Sequence, residues 1–255
     1  MSSKQDTLNL LLRSLCLTTM SRQYDTLGKT AEKEGWSFAR YLRNLCELEL
    51  TERSSRRVQR RLKQSNLPEG KTLATLEQHK LPVKVRRQVA QLLEGSFVDR
   101  AENVLAFGLP GRGKTHTLCA LAHELIVQHD SRVLFTSTFH LVHQMLKAKK
   151  ELTLDTLLRK LDRFDVVLLD DIGYVQQSRE EMEVLFIFLS ERYERKSVMI
   201  TSNLLFSEWD KIFKDPMTTA AAIDRLVHHA VILELDSKKS YREEEARKRQ
   251  KKGEK

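Results

Sequence analysis

The sequence predicts an α/β fold in which helices cover a parallel sheet, preceded by a small all-helical domain. Short, continuous apolar runs alternate with helical segments from residue 103 onward, as expected for strands that are buried on both faces. A glycine-rich turn joins the first of these runs to a helix. Residues 1–66 differ, because they contain no proline and repeat their apolar residues at helical intervals.

The composition favours a globular protein that binds polyanions. The chain has 255 residues, enough for one α/β domain with a helical appendage, and a formal net charge of +9. Such an excess of positive charge attracts nucleic acid, although charge alone does not separate DNA from RNA. The N-terminus is polar and no apolar stretch approaches the ~20 residues that span a membrane, so we expect a cytoplasmic protein without a membrane partner. Three widely spaced cysteines predict neither a disulfide framework nor a zinc site.

Residues 1–66 are predicted to form a helical N-terminal domain that binds DNA or a partner protein. Its last helix, capped by Ser37, carries a run of basic residues. Spacings of three and four residues place several of them on one side, where they could contact a phosphate backbone. The alternative is a solvated helix end, balanced by nearby glutamates. The candidate DNA contacts are Arg53, Arg56, Arg57, Arg60, Arg61 and Lys63.

A linker over residues 67–82, which opens with Leu67-Pro68-Glu69-Gly70, is predicted to lead into a second domain over residues 83–236. In that domain we expect strands at 103–107, 132–136, 166–170, 197–202 and 231–235, and helices at 83–95, 114–128, 139–149 and 179–195. This alternation predicts the parallel sheet. Residues 237–255 are charged and nearly devoid of apolar side chains, which predicts a disordered tail.

The turn after the first predicted strand has the pattern of a phosphate-binding loop. It reads Gly108-Leu109-Pro110-Gly111-Arg112-Gly113-Lys114-Thr115 and is followed by His116. Glycines let successive N–H groups point at an anion, and the following helix adds its positive end. Lys114 would reach the terminal phosphates of ATP and Thr115 would hold Mg²⁺. A chance glycine turn is the alternative, but strand, loop, Lys-Thr and helix stand here in the required order.

Polar residues follow two further predicted strands. Asp170 and Asp171 end the apolar run that starts at Val166, at the edge where open α/β sheets bind ligands. Asp170 would bind Mg²⁺, directly or through water, and Asp171 could act as general base. Asn203 follows the next strand and could contact the γ-phosphate or orient the attacking water. The structural alternatives are acids that cap the next segment and a turn asparagine.

Arg225, on a predicted helix before the last strand, is a candidate arginine finger. An arginine far from the loop in sequence suits the neutralisation of charge on a neighbouring subunit's γ-phosphate. A local ion pair with Asp224 is the alternative. His228 and His229 have no metal-ligand partner at a convincing spacing, which favours surface or packing roles.

With these residues assembled, the chain resembles the IstB-type transposition helper ATPases, a branch of the P-loop AAA+ superfamily related to the DnaC helicase loaders. The resemblance rests on the phosphate loop, Asp170-Asp171-Ile172-Gly173-Tyr174, Thr201-Ser202-Asn203-Leu204, Phe206-Ser207-Glu208-Trp209, Asp224-Arg225-Leu226-Val227-His228-His229 and Ser240-Tyr241-Arg242. It implies an ATPase that forms a homo-oligomer on double-stranded DNA, recruits a partner transposase and stimulates it. It also implies that Arg225 acts on the neighbouring subunit and that Arg242 is a second phosphate-sensing arginine.

Two departures from the family pattern bear on these expectations. Asp171 stands where the family usually has Glu, which affects the expected hydrolysis rate, and Arg112 adds charge within the loop. The alternatives are a loader of the DnaC kind and a DNA-binding scaffold that uses ATP as an assembly switch with little hydrolysis.

Overall fold

The computed structural model describes residues 2–174, 178–204, 208 and 216–235. The chain divides into two compact units, one ending at Arg60 and the other beginning at Arg61. The first contains α1 (Ser2–Ser14), α2 (Thr18–Glu34) and most of α3 (Phe38–Ser65). The predicted helical character of this region is confirmed.

A carboxylate from α3 caps α2. Leu17, at the N-cap position of α2, offers no side-chain hydrogen bond. Instead, the buried Glu49 carboxylate accepts hydrogen bonds from the backbone N–H groups of Thr19 (2.7 Å) and Met20 (3.0 Å). These are orphan donors of the first helical turn, where the helix dipole also favours a negative charge. The cap therefore joins two helices that are distant in sequence.

The second unit contains a parallel sheet in the order β2-β3-β4-β1-β5. The strands are β1 (Asn103–Phe107), β2 (Val133–Ser137), β3 (Val166–Asp170), β4 (Ser197–Ser202) and β5 (Ala230–Glu234). The helices are α4 (Val83–Leu92), α5 (Ser96–Asp99), α6 (Lys114–His129), α7 (Thr138–Lys150), α8 (Leu154–Leu161), α9 (Arg179–Arg192) and α10 (Pro216–Val227). Short 3₁₀ turns span Gln78–Lys80 and Ile172–Tyr174.

The sheet core confirms the predicted alternation of strands and helices. Alternate residues such as Leu105 of β1 and Leu169 of β3 pack in one buried cluster with α7, α9 and α10, while α6 contacts β1 to β4. Because β1, β3 and β4 are parallel, the turns that follow them open at one edge of the sheet. This edge is the expected ligand position in an open α/β sheet.

The structure also corrects the predicted elements. Helix α8 was not predicted, although leucines at 154, 157, 158 and 161 have helical spacing. Helix α9 ends at Arg192 rather than Arg195, because Tyr193 leaves the helical region with a ψ angle of 129° and Glu194 has a left-handed φ of 56°. Arg192 turns inward and donates to the carbonyls of Leu161, Phe164, Asp165 and Ser197 at 3.0–3.2 Å. Burial lowers the pKa of Arg192 to about 10. The guanidinium thus joins the end of α9 to the segments around β3 and β4.

The segment predicted as a linker, residues 67–82, belongs to the second unit, where Leu76 and Leu81 are buried. The division between the units falls inside α3. The predicted tail at 237–255 lies outside the described residues. Within the described part of the chain, no helix combines the length and apolar character needed to cross a membrane.

Candidate functional site

The loop after β1 has the backbone of an anion cradle. Gly108 and Gly113 have φ angles of 147° and 86°, and a Cβ on Gly108 would lie 2.9 Å from the carbonyl oxygen of Leu235. Only glycine fits such a position without strain. Gly113 is the N-cap of α6 and contributes no side-chain cap. The first N–H groups of α6 are therefore oriented as in helix termini that bind phosphate.

Lys114 begins α6 and is buried at the mouth of the loop. Its side-chain ammonium donates to the carbonyls of Gly108 (2.6 Å) and Leu109 (3.1 Å) and to Oδ1 of Asn203 (2.6 Å). The amine is thus directed across the loop rather than into solvent. The structure brings together Lys114 and Asn203, which were predicted from separate motifs.

Asp170 ends β3 beside Thr115. Its Oδ1 accepts hydrogen bonds from the hydroxyls of Thr115 (2.8 Å) and Thr201 (2.7 Å), and Thr138 donates to its backbone carbonyl at 3.1 Å. Hydroxyl and carboxylate oxygens are hard ligands of the type that Mg²⁺ prefers. The donor set at this position therefore fits magnesium.

Asp171 is held in the left-handed region, with a φ angle of 66°. Its N–H donates to the Thr201 hydroxyl at 2.8 Å, and its Oδ1 accepts from Nδ2 of Asn203 at 3.0 Å. Because Oδ1 of the same Asn203 faces Lys114, one amide joins the candidate base to the loop lysine. Through Asn203, this network places the Asp171 carboxylate beside the loop lysine.

Comparison with known proteins gives the family. Residues 10–250 match the model of the IstB-like ATP binding protein family. The chain belongs to this family. It is 42% identical over 240 residues to an insertion sequence ATP-binding protein of Sinorhizobium fredii, covering 94% of this chain and 80% of the relative. The insertion sequence IS21 ATP-binding protein of Pseudomonas aeruginosa is 36% identical over 241 residues, 94% of this chain and 90% of the relative.

The fold is that of P-loop AAA+ proteins, as the resemblance implied. A crystal structure of the DnaC helicase loader superposes with a TM-score of 0.52 at 16% identity, over 59% of this chain and 88% of that chain. Identity at this level establishes the fold alone.

In this IstB-like chain, three further residues are predicted to bind the nucleotide: Arg112, His116 and Arg242. His116 Nε2 is 3.0 Å from the Thr75 hydroxyl, and burial lowers its pKa. Arg112 has a buried Nη1 without a hydrogen-bond partner among the described residues. Arg242 lies outside the described residues, so its predicted role stays a prediction.

Arg225 packs within its own unit. Its guanidinium carbon lies 4.8 Å from the centre of the Phe186 ring on α9, and its Nη1 is buried without a hydrogen-bond partner among the described residues. A cation over an aromatic face is stabilised without using its N–H donors. Among the described residues, Arg225 forms no salt bridge with Asp224, which was the alternative to the finger.

The predicted DNA contacts on α3 fall into two groups. Arg53 bonds Glu49 at 2.8 Å, Arg56 donates to the hydroxyls of Thr18 and Thr19 at 2.8 and 2.9 Å, and Arg61 pairs with Asp130 at 2.8 Å. These arginines support the folds of their own units. Arg57, Arg60 and Lys63 are exposed, and so are Arg53 and Arg56, whereas Arg61 is half-buried.

Sequence reasoning missed the roles of Thr201 and Thr138. Thr201 bonds both Asp170 and the backbone of Asp171, and it was assigned only to a strand. The available signal was a polar residue inside an apolar strand, directly before Ser202 and Asn203. Such a residue is buried and needs a hydrogen-bond partner.

Proposed function

We propose that this chain is the ATPase helper of an insertion sequence. It binds ATP with Mg²⁺, assembles with further copies on double-stranded DNA, and recruits and stimulates a partner transposase. The observation that carries this proposal is the convergence of Lys114, Thr115, Asp170 and Asn203 at one edge of the sheet. The family and the insertion sequence relatives support the transposition role.

The chain's own groups divide the work at the phosphates. The N–H groups of the loop and the Lys114 ammonium bind the anionic oxygens, while Thr115 and Asp170 hold the metal. Bound Mg²⁺ supplies charge neutralisation for phosphoryl transfer. Asp171, oriented by Asn203, accepts the proton of the attacking water. Asp is one methylene shorter than Glu, which fits slow turnover that DNA and assembly accelerate.

Arg225 completes the site of a neighbouring copy. Its guanidinium rests on Phe186 with a buried Nη1 that has no hydrogen-bond partner among the described residues, so the side chain must turn off the ring to reach phosphate oxygens when two copies meet. Arginine fingers contribute about 10³–10⁵ in turnover. Arg225→Ala should therefore leave ATP binding intact and remove DNA-stimulated turnover, while Arg195→Ala, an exposed arginine beyond α9, serves as control.

DNA binding follows from charge and exposure. The chain carries a net charge of +9, and Arg57, Arg60 and Lys63 lie exposed on α3. Cations spaced along a helix contact phosphates and release counterions. No aromatic residue lies within this basic run, which favours backbone contact over base stacking.

The test is ATP hydrolysis in single turnover with and without duplex DNA. Wild-type protein should hydrolyse ATP faster with DNA, and Lys114→Ala should bind no ATP, with exposed Lys160→Ala as matched control. ATP-dependent binding to DNA with hydrolysis absent would instead establish the scaffold alternative. Co-purification with a replicative helicase rather than with the transposase would establish a loader of the DnaC kind.

A further inference from the structure

Glu194, His228 and His229 come together on the surface of the second unit, away from the loop residues described above. One ligand atom from each side chain lies within 4.8 Å of the others, and Nε2 of His229 is 3.9 Å from Oε1 of Glu194. The two imidazole ring centres are 4.2 Å apart. The sequence did not reveal this cluster, because Glu194 is distant from the histidine pair along the chain.

The backbone holds the three residues in place. Glu194 follows the end of α9 with a left-handed φ of 56°, and the histidines form the turn between α10 and β5. The His229 carbonyl accepts a hydrogen bond from the Asn103 N–H at 2.7 Å, which ties this turn to β1. The cluster therefore rests on the sheet rather than on a long loop.

Tyr193 orients one of the imidazoles. Its hydroxyl lies 3.1 Å from Nδ1 of His228. When the ring donates from Nδ1, the lone pair of Nε2 stays open for a metal. Outer-shell oxygens that accept from the second ring nitrogen are a regular feature of histidine ligands.

We propose that Glu194, His228 and His229 form a binding site for a borderline transition-metal ion such as Zn²⁺. Two imidazoles and one carboxylate are a common protein donor set for zinc, with the remaining position open to water. Tetrahedral bonds of about 2.1 Å place ligand atoms about 3.4 Å apart. The three side chains are exposed, so their torsion angles are free to adjust when a metal draws the ligand atoms to that spacing.

The site would join the ends of α9 and α10. These helices also carry Phe186 and Arg225, which stack on each other at 4.8 Å. A metal at this junction would restrain the helix that carries the finger. This consequence rests on the proposed function, whereas the metal site itself does not.

The experiment is a titration of the full-length, tag-free and nucleotide-free protein with Co²⁺, followed by its visible d–d absorption and by competition with Zn²⁺. We expect one saturable equivalent per chain that Zn²⁺ displaces. Loss of an outer-shell hydrogen-bond partner alone weakens metal binding by at least about 10-fold. Because His229 and Glu194 are proposed as direct ligands, His229→Ala and Glu194→Gln should each weaken Co²⁺ binding by more than that. Tyr193→Phe should weaken it by about 10-fold.

Matched controls separate this site from adventitious binding. His123→Ala removes a histidine that also lies beside a carboxylate, at 3.1 Å from Glu124, and Cys16→Ser removes an exposed thiol. Both should keep the full equivalent. Circular dichroism checks that each variant is folded.

The proposal is overturned if the wild-type protein shows no saturable Co²⁺ equivalent, or if the double variant His228→Ala/His229→Ala retains it. Equal loss in His123→Ala overturns it as well. ATP binding is measured on the same samples, because a failed metal site with intact ATP binding leaves the proposed function standing.

Discussion

Each unit of this chain contains a carboxylate at the centre of a hydrogen-bond network, and the two networks differ in what neutralises the charge. Glu49 accepts from two backbone N–H groups and from the Arg53 guanidinium, all within its own unit. Asp170 accepts from two neutral hydroxyls and forms no salt bridge among the described residues. An internally compensated carboxylate stabilises the fold, whereas one surrounded by neutral donors is suited to an external cation.

The largest effect is expected for Asp170→Asn. Loss of the metal carboxylate should lower ATP turnover by about 1,000-fold, or about 4 kcal/mol in the transition state, because preorganised charge stabilisation is lost. The unfolding midpoint should change little, since the hydroxyls of Thr115 and Thr201 keep an oxygen acceptor. Single-turnover hydrolysis and urea denaturation measure the two quantities. A large loss of stability with normal turnover would show that Asp170 acts as Glu49 does.

Glu49→Gln should have the opposite pattern. Removing this buried charge weakens the α2 cap and the bond to the half-exposed Arg53, so the first unit should lose about 1–2 kcal/mol of unfolding free energy. Urea denaturation followed by Trp36 fluorescence, in a Trp209→Phe background that leaves one tryptophan, measures it. Exposed Glu47→Gln on the same helix is the control. If Glu49→Gln left the free energy of unfolding unchanged, Glu49 would not be a carboxylate that stabilises the fold.

Acid should weaken the same cap. Burial tends to raise the pKa of Glu49, but hydrogen bonds from Met20, Arg53 and Thr19 outweigh it and leave the pKa below its ordinary value. The stabilisation is therefore complete above the unfolded-state pKa of about 4.3 and is lost as pH falls through the lower folded-state value. The stability difference between wild type and Glu49→Gln should shrink as pH falls through this range. A difference that grows instead would contradict the depressed pKa.

The smallest effect is expected on the exposed end of α3. Arg60→Gln combined with Lys63→Gln should weaken DNA binding uniformly across sequences. The negative slope of log affinity against log salt concentration should become less steep by about 2. Stability should stay unchanged, unlike in Arg53→Gln, which breaks the bond to Glu49. Fluorescence anisotropy with unrelated duplexes at several salt concentrations tests this. An unchanged slope would place the DNA contacts elsewhere.

Much of the candidate site was predictable because its signals are local. The loop glycines, Lys114 and Thr115 are contiguous, Asp170 ends one apolar strand and Asn203 directly follows another. Parallel strands bring their carboxyl ends to one edge, so their proximity follows from the strand pattern. Thr201 was missed because a strand assignment does not say which polar side chain faces a ligand edge.

The basic run on α3 shows what a local signal leaves open. Six cations at helical spacing predict a DNA-binding face, which stays a prediction, and Arg53, Arg56 and Arg61 also bond groups of their own units. Whether a charge is compensated depends on partners such as Glu49 and Asp130, which only packing brings near. The sequence therefore indicated the positions of the cations on the helix but not which of them bond acidic groups of their own unit.

By itself, the sequence determined the alternation of strands and helices, the family and the phosphate loop, because each depends on neighbouring residues or on regular spacing. Only the tertiary structure decided that Glu49 caps α2, that Arg225 rests on Phe186, and that Glu194 joins the histidine pair. These contacts bring together residues that are far apart in the chain. Their formation depends on how helices and strands pack, and no local pattern encodes that.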